Sequence, residues 1–286
     1  MHFPVMLGEC LEYLAIRPDG IYLDATAGLG GHTGAIAARL RGGFVIANDR
    51  DAESLELARR NTAEWADRIR YHHGSFGNLG SALAAQGVER VDGLLADLGV
   101  SRYQLTEPER GFSLMASGPL DMRMDRGQGT TADEIVNFSR EQELADLIYQ
   151  FGQERRARKI SRAIVRARPI HTTGQLAGVI EAAVPRTGKL HPATQTFMAL
   201  RLVVNDEPGE LDKLLAIAPD LVASGGRMVT VAFMSLEDTQ VKHSFQALAR
   251  AGRARILTKH VVRPKPEETH NNPPSRSARL RALEMQ

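Results

Sequence analysis

Apolar residues recur at helical spacing over residues 5–16 and stop at Arg17-Pro18-Asp19-Gly20, a turn signal. Ile21-Tyr22-Leu23-Asp24-Ala25 is then a short buried run of strand type, followed by a glycine-rich turn from Gly28 to Gly34. The same alternation continues down the first third of the chain. A helix is predicted over 33–40, a strand at Phe44-Val45-Ile46-Ala47, and a helix over 52–65. A strand near Arg70-Tyr71-His72, a helix near 78–86 and a strand Val91–Asp97 complete it. Strands alternating with helices predict a parallel sheet covered on both faces.

Near residue 105 the strand runs stop. Residues 141–151, 154–168, 173–184 and 193–205 carry helical periodicity, with Thr172-Thr173 as the N-cap region of the third. After residue 205 the mixed pattern returns: a helix over 211–223, a strand over 227–233, a helix over 237–251 and a strand over 255–262. From Arg263 onward the chain is Pro-rich, polar and basic and reads as a loop. The pattern therefore predicts an α/β core in two pieces, 1–104 and 206–286, with an all-helical insertion at 105–205.

Composition narrows this picture. The chain has 286 residues, 43% hydrophobic and 24% charged, in the range of a globular protein with a full core. A single cysteine, Cys10, excludes an internal disulfide and a thiolate zinc cluster. It lies in the apolar pattern of the first helix and reads as a packed thiol. No stretch approaches the roughly 18 apolar residues of a membrane span, and no basic region precedes an apolar run at the N-terminus. A cytoplasmic protein with no membrane partner is expected. The histidines show no metal-ligand spacing, so no metal is expected either.

The candidate chemistry gathers at the strand ends. Three predicted strands end in or just before an acid: Asp24, Asp49 and Asp97. In an open parallel sheet ligands bind beyond the carboxyl ends of the strands, so these acids ring one crevice. Gly28, Gly30 and Gly31 allow a tight turn and close backbone approach. The helix that follows offers unpaired N–H groups to a ligand carboxylate. Asp49 stands where a carboxylate accepts from ribose hydroxyls. A nicotinamide cofactor is the rival, but Gly-x-Gly-x-x-Gly needs glycine at position 33, where this chain has Thr33. Asp24 just before the loop, with His32-Thr33 after it, favours S-adenosyl-L-methionine (SAM).

The chain also resembles a known family, the bacterial 16S ribosomal RNA cytosine-N4 methyltransferases of the MraW type. The resemblance runs over nearly its whole length. It begins at His2-Phe3-Pro4-Val5-Met6-Leu7 and Gly30-Gly31-His32. It is densest at Asp97-Leu98-Gly99-Val100-Ser101, Gln104-Leu105, Glu109-Arg110-Gly111-Phe112-Ser113 and Pro119-Leu120-Asp121-Met122-Arg123-Met124. It continues through Val204-Asn205-Asp206-Glu207, Ser235-Leu236-Glu237-Asp238 and Val241-Lys242 to Ser275-Arg276-Ser277-Ala278-Arg279-Leu280-Arg281. It implies a class I, Rossmann-like SAM methyltransferase core carrying a helical substrate-recognition subdomain. It implies SAM contacts from Gly30, Gly31, His32, Asp49, Phe76, Asp97 and Gln104. It further implies methylation of the N4 amino group of a cytosine in the decoding region (P site) of 16S ribosomal RNA. The chain departs from the family's usual residues at Gln195, Met198, Met234, Thr239 and Pro274, outside the cofactor loop.

A cytosine amine is a poor nucleophile because its lone pair is delocalised into the ring, and a hydrogen-bond acceptor on its protons helps it react. Asp97 and Ser101, bounding a tight loop, are the candidate catalytic residues; Asp97 either accepts from the target amine or only holds SAM. His32 is expected to be a hydrogen-bonding loop residue. For RNA contact, Arg155, Arg158, Lys159, Arg162 and Arg166 fall on one face of a predicted helix. Arg110 and Arg123 add to the insertion, and Arg276, Arg279 and Arg281 to the tail. The expected partner is 16S ribosomal RNA within the small ribosomal subunit, met by a monomer or a dimer. A catalytically weak ribosome-assembly factor on the same fold is the alternative, and a methyltransferase of small molecules or proteins a third.

Overall fold

A computed structural model describes residues 4–186, 188 and 190–286; His2 and Phe3 of the opening motif lie outside the described residues. The chain divides into two compact units, Met1–Gly99 with Pro208–Gln286, and Val100–Glu207.

The first unit opens with α1 (Leu7–Leu14), β1 (Ile21–Asp24), α2 (Gly31–Ala37), β2 (Phe44–Asp49), α3 (Ala52–Asn61), β3 (Ile69–His73), α4 (Leu79–Ala84) and β4 (Val91–Asp97). The helices of the second unit are α5 (Arg102–Thr106), α6 (Ala132–Phe138), α7 (Glu141–Gly152), α8 (Ala157–Ala167), α9 (Thr173–Ala183) and α10 (Thr194–Val204). The chain returns to the first through α11 (Glu207–Leu221), then β5 (Val222–Ala232), α12 (Ser235–Arg250), β6 (Ala254–Ile256), α13 (Pro266–Asn271) and β7 (Arg279–Met285).

Seven strands form one sheet in the order β3-β2-β1-β4-β5-β7-β6. The first five are parallel, while β7 runs antiparallel to both β5 and β6. Side chains alternate along each strand between two cores. Leu23, Ile46, Leu94, Met228 and Leu283 join a cluster with residues of α4, α11 and α12. Their neighbours Tyr22, Val45, Leu95, Val229 and Ala282 join another with α1 and α2. Both faces are buried, so the strands read as continuous apolar runs. The parallel order reverses between β1 and β4, which is where a doubly wound sheet opens its ligand crevice.

The helical unit has its own core of Leu144, Ile148, Ile160, Ile164, Leu176, Ile180 and Leu200. Its helix α6 has no counterpart among the predicted helices. Thr131 starts it, accepting from Glu134 N while Glu134 reaches back to Thr131 N, a capping box over a short helix.

The C-terminal segment corrects the sequence expectation. The predicted strand over 255–262 is only β6, Ala254–Ile256, plus a single bridge from Val262 to Leu280. Beyond it the predicted loop is instead α13 and β7, and β7 lies inside the sheet. Arg279 and Arg281 give β7 a basic look, yet Leu280, Ala282, Leu283 and Met285 are buried. Asp238 of α12 neutralises both arginines: Arg281 donates to it through Nε (2.6 Å) and Nη2 (3.2 Å), and Arg279 Nη1 lies at 3.9 Å. No helix among the described residues is long and apolar enough to cross a membrane.

Candidate active site

The carboxyl ends of β1, β2 and β4 carry Asp24, Asp49 and Asp97. The chain between β1 and α2 is stitched to the neighbouring strands by backbone and side-chain bonds. Ala25 N donates to Leu95 O at 2.8 Å and Ala27 N to Asn48 O at 2.9 Å. Thr26 Oγ1 accepts from Asp97 N at 2.6 Å, and Asn48 Nδ2 donates to Ala25 O and Gly74 O. Asp49 then fixes the loop itself, its Oδ2 accepting from Gly28 N at 2.7 Å while Oδ1 accepts from Asp51 N. Thr26 and Asn48 were not singled out in the sequence; short polar residues beside strand-end acids are their only signal.

Geometry demands a glycine at position 30 and leaves little room at position 31. Gly30 sits at φ 86°, and a Cβ there would stand 2.8 Å from Thr62 Cγ2 and 3.2 Å from the Ala58 Cα. A Cβ on Gly31 would press on Pro4 at 3.1 Å, so the N-terminal segment lies directly on the loop. That segment also orients His32, whose Nε2 lies 3.1 Å from Val5 O, while its Nδ1 faces Asp97 Oδ2 at 3.7 Å. His32 makes a hydrogen-bonding contact, but from the first turn of α2 and not from the loop in which the sequence placed it. Glu268 of α13 holds the other side of this segment by accepting from Met6 N at 2.6 Å.

The acids crowd one another. Asp24 is fully buried and accepts from Thr33 Oγ1 at 2.6 Å and from Thr26 N. Burial pushes its carboxyl up to about 6, against the lowering effect of those bonds. Burial likewise pushes Asp49 up to about 6, with Asp51 and Asp24 adding repulsion. Asp97 is held well above the usual carboxylate range, first by burial, then by the charges of Asp24, Glu237 and Glu268. Its side chain is 22% exposed, yet the buried Oδ1 has no hydrogen-bond partner. A crevice of mutually repelling carboxylates disfavours a pyrophosphate and suits a cationic ligand. The sulfonium and ammonium of SAM are such cations, so these residues fit that group better than a dinucleotide.

The remaining candidates fall in different places. Phe76 opens a short 3-10 turn before α4, its N–H on Glu210 Oε2 at 3.1 Å. Ser101 and Gln104 belong to the helical unit, where they form a capping box on α5: Gln104 N donates to Ser101 Oγ, and Ser101 N to Gln104 Oε1. Ser101, the second candidate catalytic residue, is thus the N-cap of α5. Met234, one of the departures from the family's usual residues, lies just past the end of β5 as the residue before α12.

The arginines divide likewise. Arg155, Arg158, Lys159, Arg162 and Arg166 are all exposed, on or beside α8, and only Arg162 has an acidic partner, Glu141, among the described residues. Arg276 is exposed as well. Arg110 is not available to RNA: it is 1% exposed, and its Nη2 donates to Arg123 O (3.0 Å) and Met124 O (2.9 Å). Arg123 makes a two-point pair with Asp121 at 2.7 and 3.0 Å. Arg279 is turned to Asp238 in the sheet. Among the described residues no group of three or more His, Cys, Asp or Glu is placed to hold a metal ion.

The sequence profile of the MraW methylase family matches residues 1–286. Ribosomal RNA small subunit methyltransferase H of Solibacter usitatus is 66% identical over 285 residues, covering 100% of both chains. The protein of the same name from Acidobacterium capsulatum is 47% identical over 293 residues, covering 99% of this chain and 98% of that one. A solved rRNA methylase from Streptococcus thermophilus is 11% identical with a TM-score of 0.47, over 97% of this chain and 94% of that one.

Proposed function

Because the chain belongs to the MraW methylase family, we propose that it methylates the N4 amino group of a cytosine in the decoding region of 16S ribosomal RNA, using SAM, in the cytoplasm. SAM, when bound, supplies an electrophilic methyl group. Gly30 of the loop, Gly31 and His32 at the start of α2, Asp49 at the end of β2, Phe76 and Asp97 are the residues of the core unit that would hold it. The relatives named for small-subunit ribosomal RNA support the choice of nucleic acid.

One observation carries the chemistry: the partnerless, buried Oδ1 of Asp97 at the carboxyl edge of the sheet. A buried carboxylate oxygen without a donor is costly unless a ligand supplies one. The exocyclic amine of cytosine is a donor of that kind. Accepting its N–H at Oδ1 draws the nitrogen lone pair out of conjugation with the ring. The raised affinity of Asp97 for protons then lets it take the proton the amine must lose. His32 beside Oδ2 keeps the carboxylate turned. Reaching the amine requires a single-stranded or flipped-out base. The exposed cations of α8, on the helical unit, and Arg276, on the core unit, are candidates for phosphate contact.

The test is Asp97→Asn with labelled SAM and small ribosomal subunits lacking the methylation. Transfer is expected to fall on the order of 10²–10³-fold while the protein still binds SAM. Wild-type turnover in the variant would refute the role of Asp97, and a wild-type protein that binds RNA but transfers nothing would favour an assembly factor.

A further inference from the structure

A second feature lies on the same sheet edge. β6 and β5 both pair antiparallel to β7, so β6 runs parallel to β5. Its last residue, Ile256, stands level with Met228 of β5 and Leu94 of β4, and the residues that follow run on toward the edge that carries Asp24, Asp49 and Asp97. A cavity opens there between α12 and the end of β6. Phe245 and Ile256 contribute its apolar wall, and Lys242, Gln246, Lys259 and Arg281 its polar groups; no acidic residue lines it.

The charges in this cavity are not equal. Arg281 is 13% exposed and spent on Asp238. Lys242 and Lys259 are exposed and have no acidic partner among the described residues. Two uncompensated ammonium groups thus flank a concave apolar wall, with an arginine–aspartate pair fixing one side. Such point charges on flexible stems can bind a phosphate without a fixed geometry. From β4 to β6 is three strand steps, about 14 Å at ordinary strand spacing, a span that a few nucleotides of extended RNA can bridge.

We propose that this cavity is a phosphate-docking site for the substrate RNA, in which Lys242 and Lys259 hold the backbone a few nucleotides from the base presented to Asp97. The site rests on the RNA reading above and adds to it a path along the core unit. With β7 folded into the sheet, Arg279 and Arg281 cannot play that part, and the two lysines take it.

The experiment uses the full chain, wild type, K242A/K259A and K242R/K259R, with small ribosomal subunits lacking the methylation. RNA affinity is measured across a salt series, together with KM and kcat for methyl transfer and SAM affinity. Each phosphate contact to a single strand contributes about 0.7 to the slope of log affinity against log salt, so K242A/K259A should lower it by about 1.4. KM for the subunit should rise about tenfold, with kcat at saturation and SAM affinity as in wild type, and K242R/K259R should restore both slope and KM. An unchanged slope and KM in K242A/K259A overturns the site, as does a loss of kcat or SAM affinity without a change in slope. A cavity that serves a free anion leaves the RNA slope unchanged and is rejected by the same result. A wild-type protein that transfers no methyl to RNA brings down the function itself; a wild type that does, beside an unaffected double variant, brings down only the docking site.

Discussion

Gly30→Ala isolates the glycine loop from every other feature of the site. Position 30 lies at φ 86°, where an alanine costs about 1–2 kcal/mol in backbone strain. Its Cβ would also overlap Thr62 Cγ2 at 2.8 Å and crowd the Ala58 backbone at 3.2 Å. The Thr62 side chain cannot swing freely, because its hydroxyl is bound to Ala58 O at 2.8 Å and to the Tyr71 hydroxyl. Forcing a methyl into packed surroundings costs about 1–3 kcal/mol. The two contributions give about 2–5 kcal/mol, which in a unit of this size lowers the melting temperature by roughly 5–15 °C. The assay is thermal unfolding with and without SAM, alongside Gly80→Ala. Gly80 lies in α4 with nothing within 4 Å of an added Cβ, so alanine there should be neutral or stabilising by up to about 1 kcal/mol. A Gly30→Ala protein that melts within 1–2 °C of wild type would refute both the strain and the overlap.

Three further outcomes follow from the same geometry. Asp24 is pushed from 3.8 up to about 6, so the folded chain binds a proton that the unfolded chain releases. Its contribution to stability is therefore complete below about pH 4, falls by about 3 kcal/mol as pH rises to 6, and stays level above; Asp24→Asn should flatten the fall in melting temperature between pH 4 and pH 7. Arg110→Ala removes two donors from buried carbonyls and should destabilise the helical unit by about 2–5 kcal/mol. The salt slope of RNA binding by the folded variant should stay unchanged, whereas an altered slope with wild-type stability would return Arg110 to the RNA contacts. Replacing Arg158, Arg162 and Arg166 together by Ala should make that slope shallower by about 2; filter binding over a salt series decides it.

What the sequence disclosed and what it hid have physical causes. Asp24, Asp49 and Asp97 were legible because a strand buried on both faces is an unbroken apolar run, and the acid that ends it stands out. The helices of the second unit were legible from their 3.6-residue period, as in α7, where Leu144, Ala145 and Ile148 are buried while Gln142, Asp146 and Gln150 are exposed. β7 was not. Its arginines, and the prolines that precede it, read as a loop because the partners that make it a strand, β5 on one side and Asp238 beside it, are remote in the chain. Arg110 misled for a related reason: a buried guanidinium is recognisable only from the carbonyls it meets. Ser101 was partly readable, since Ser-x-x-Gln is itself a capping signal. The unpartnered oxygen of Asp97 belongs to the folded structure alone.

The central claim is tested most directly by the identity of the methylated nucleoside. Small ribosomal subunits lacking the methylation are incubated with the protein and labelled SAM, and their RNA is digested to nucleosides. The label is expected in N4-methylcytidine, from one position of the decoding region. Label in C5-methylcytidine, in a 2′-O-methyl nucleoside or in another base would contradict the role assigned to Asp97 and the amine acceptor with it.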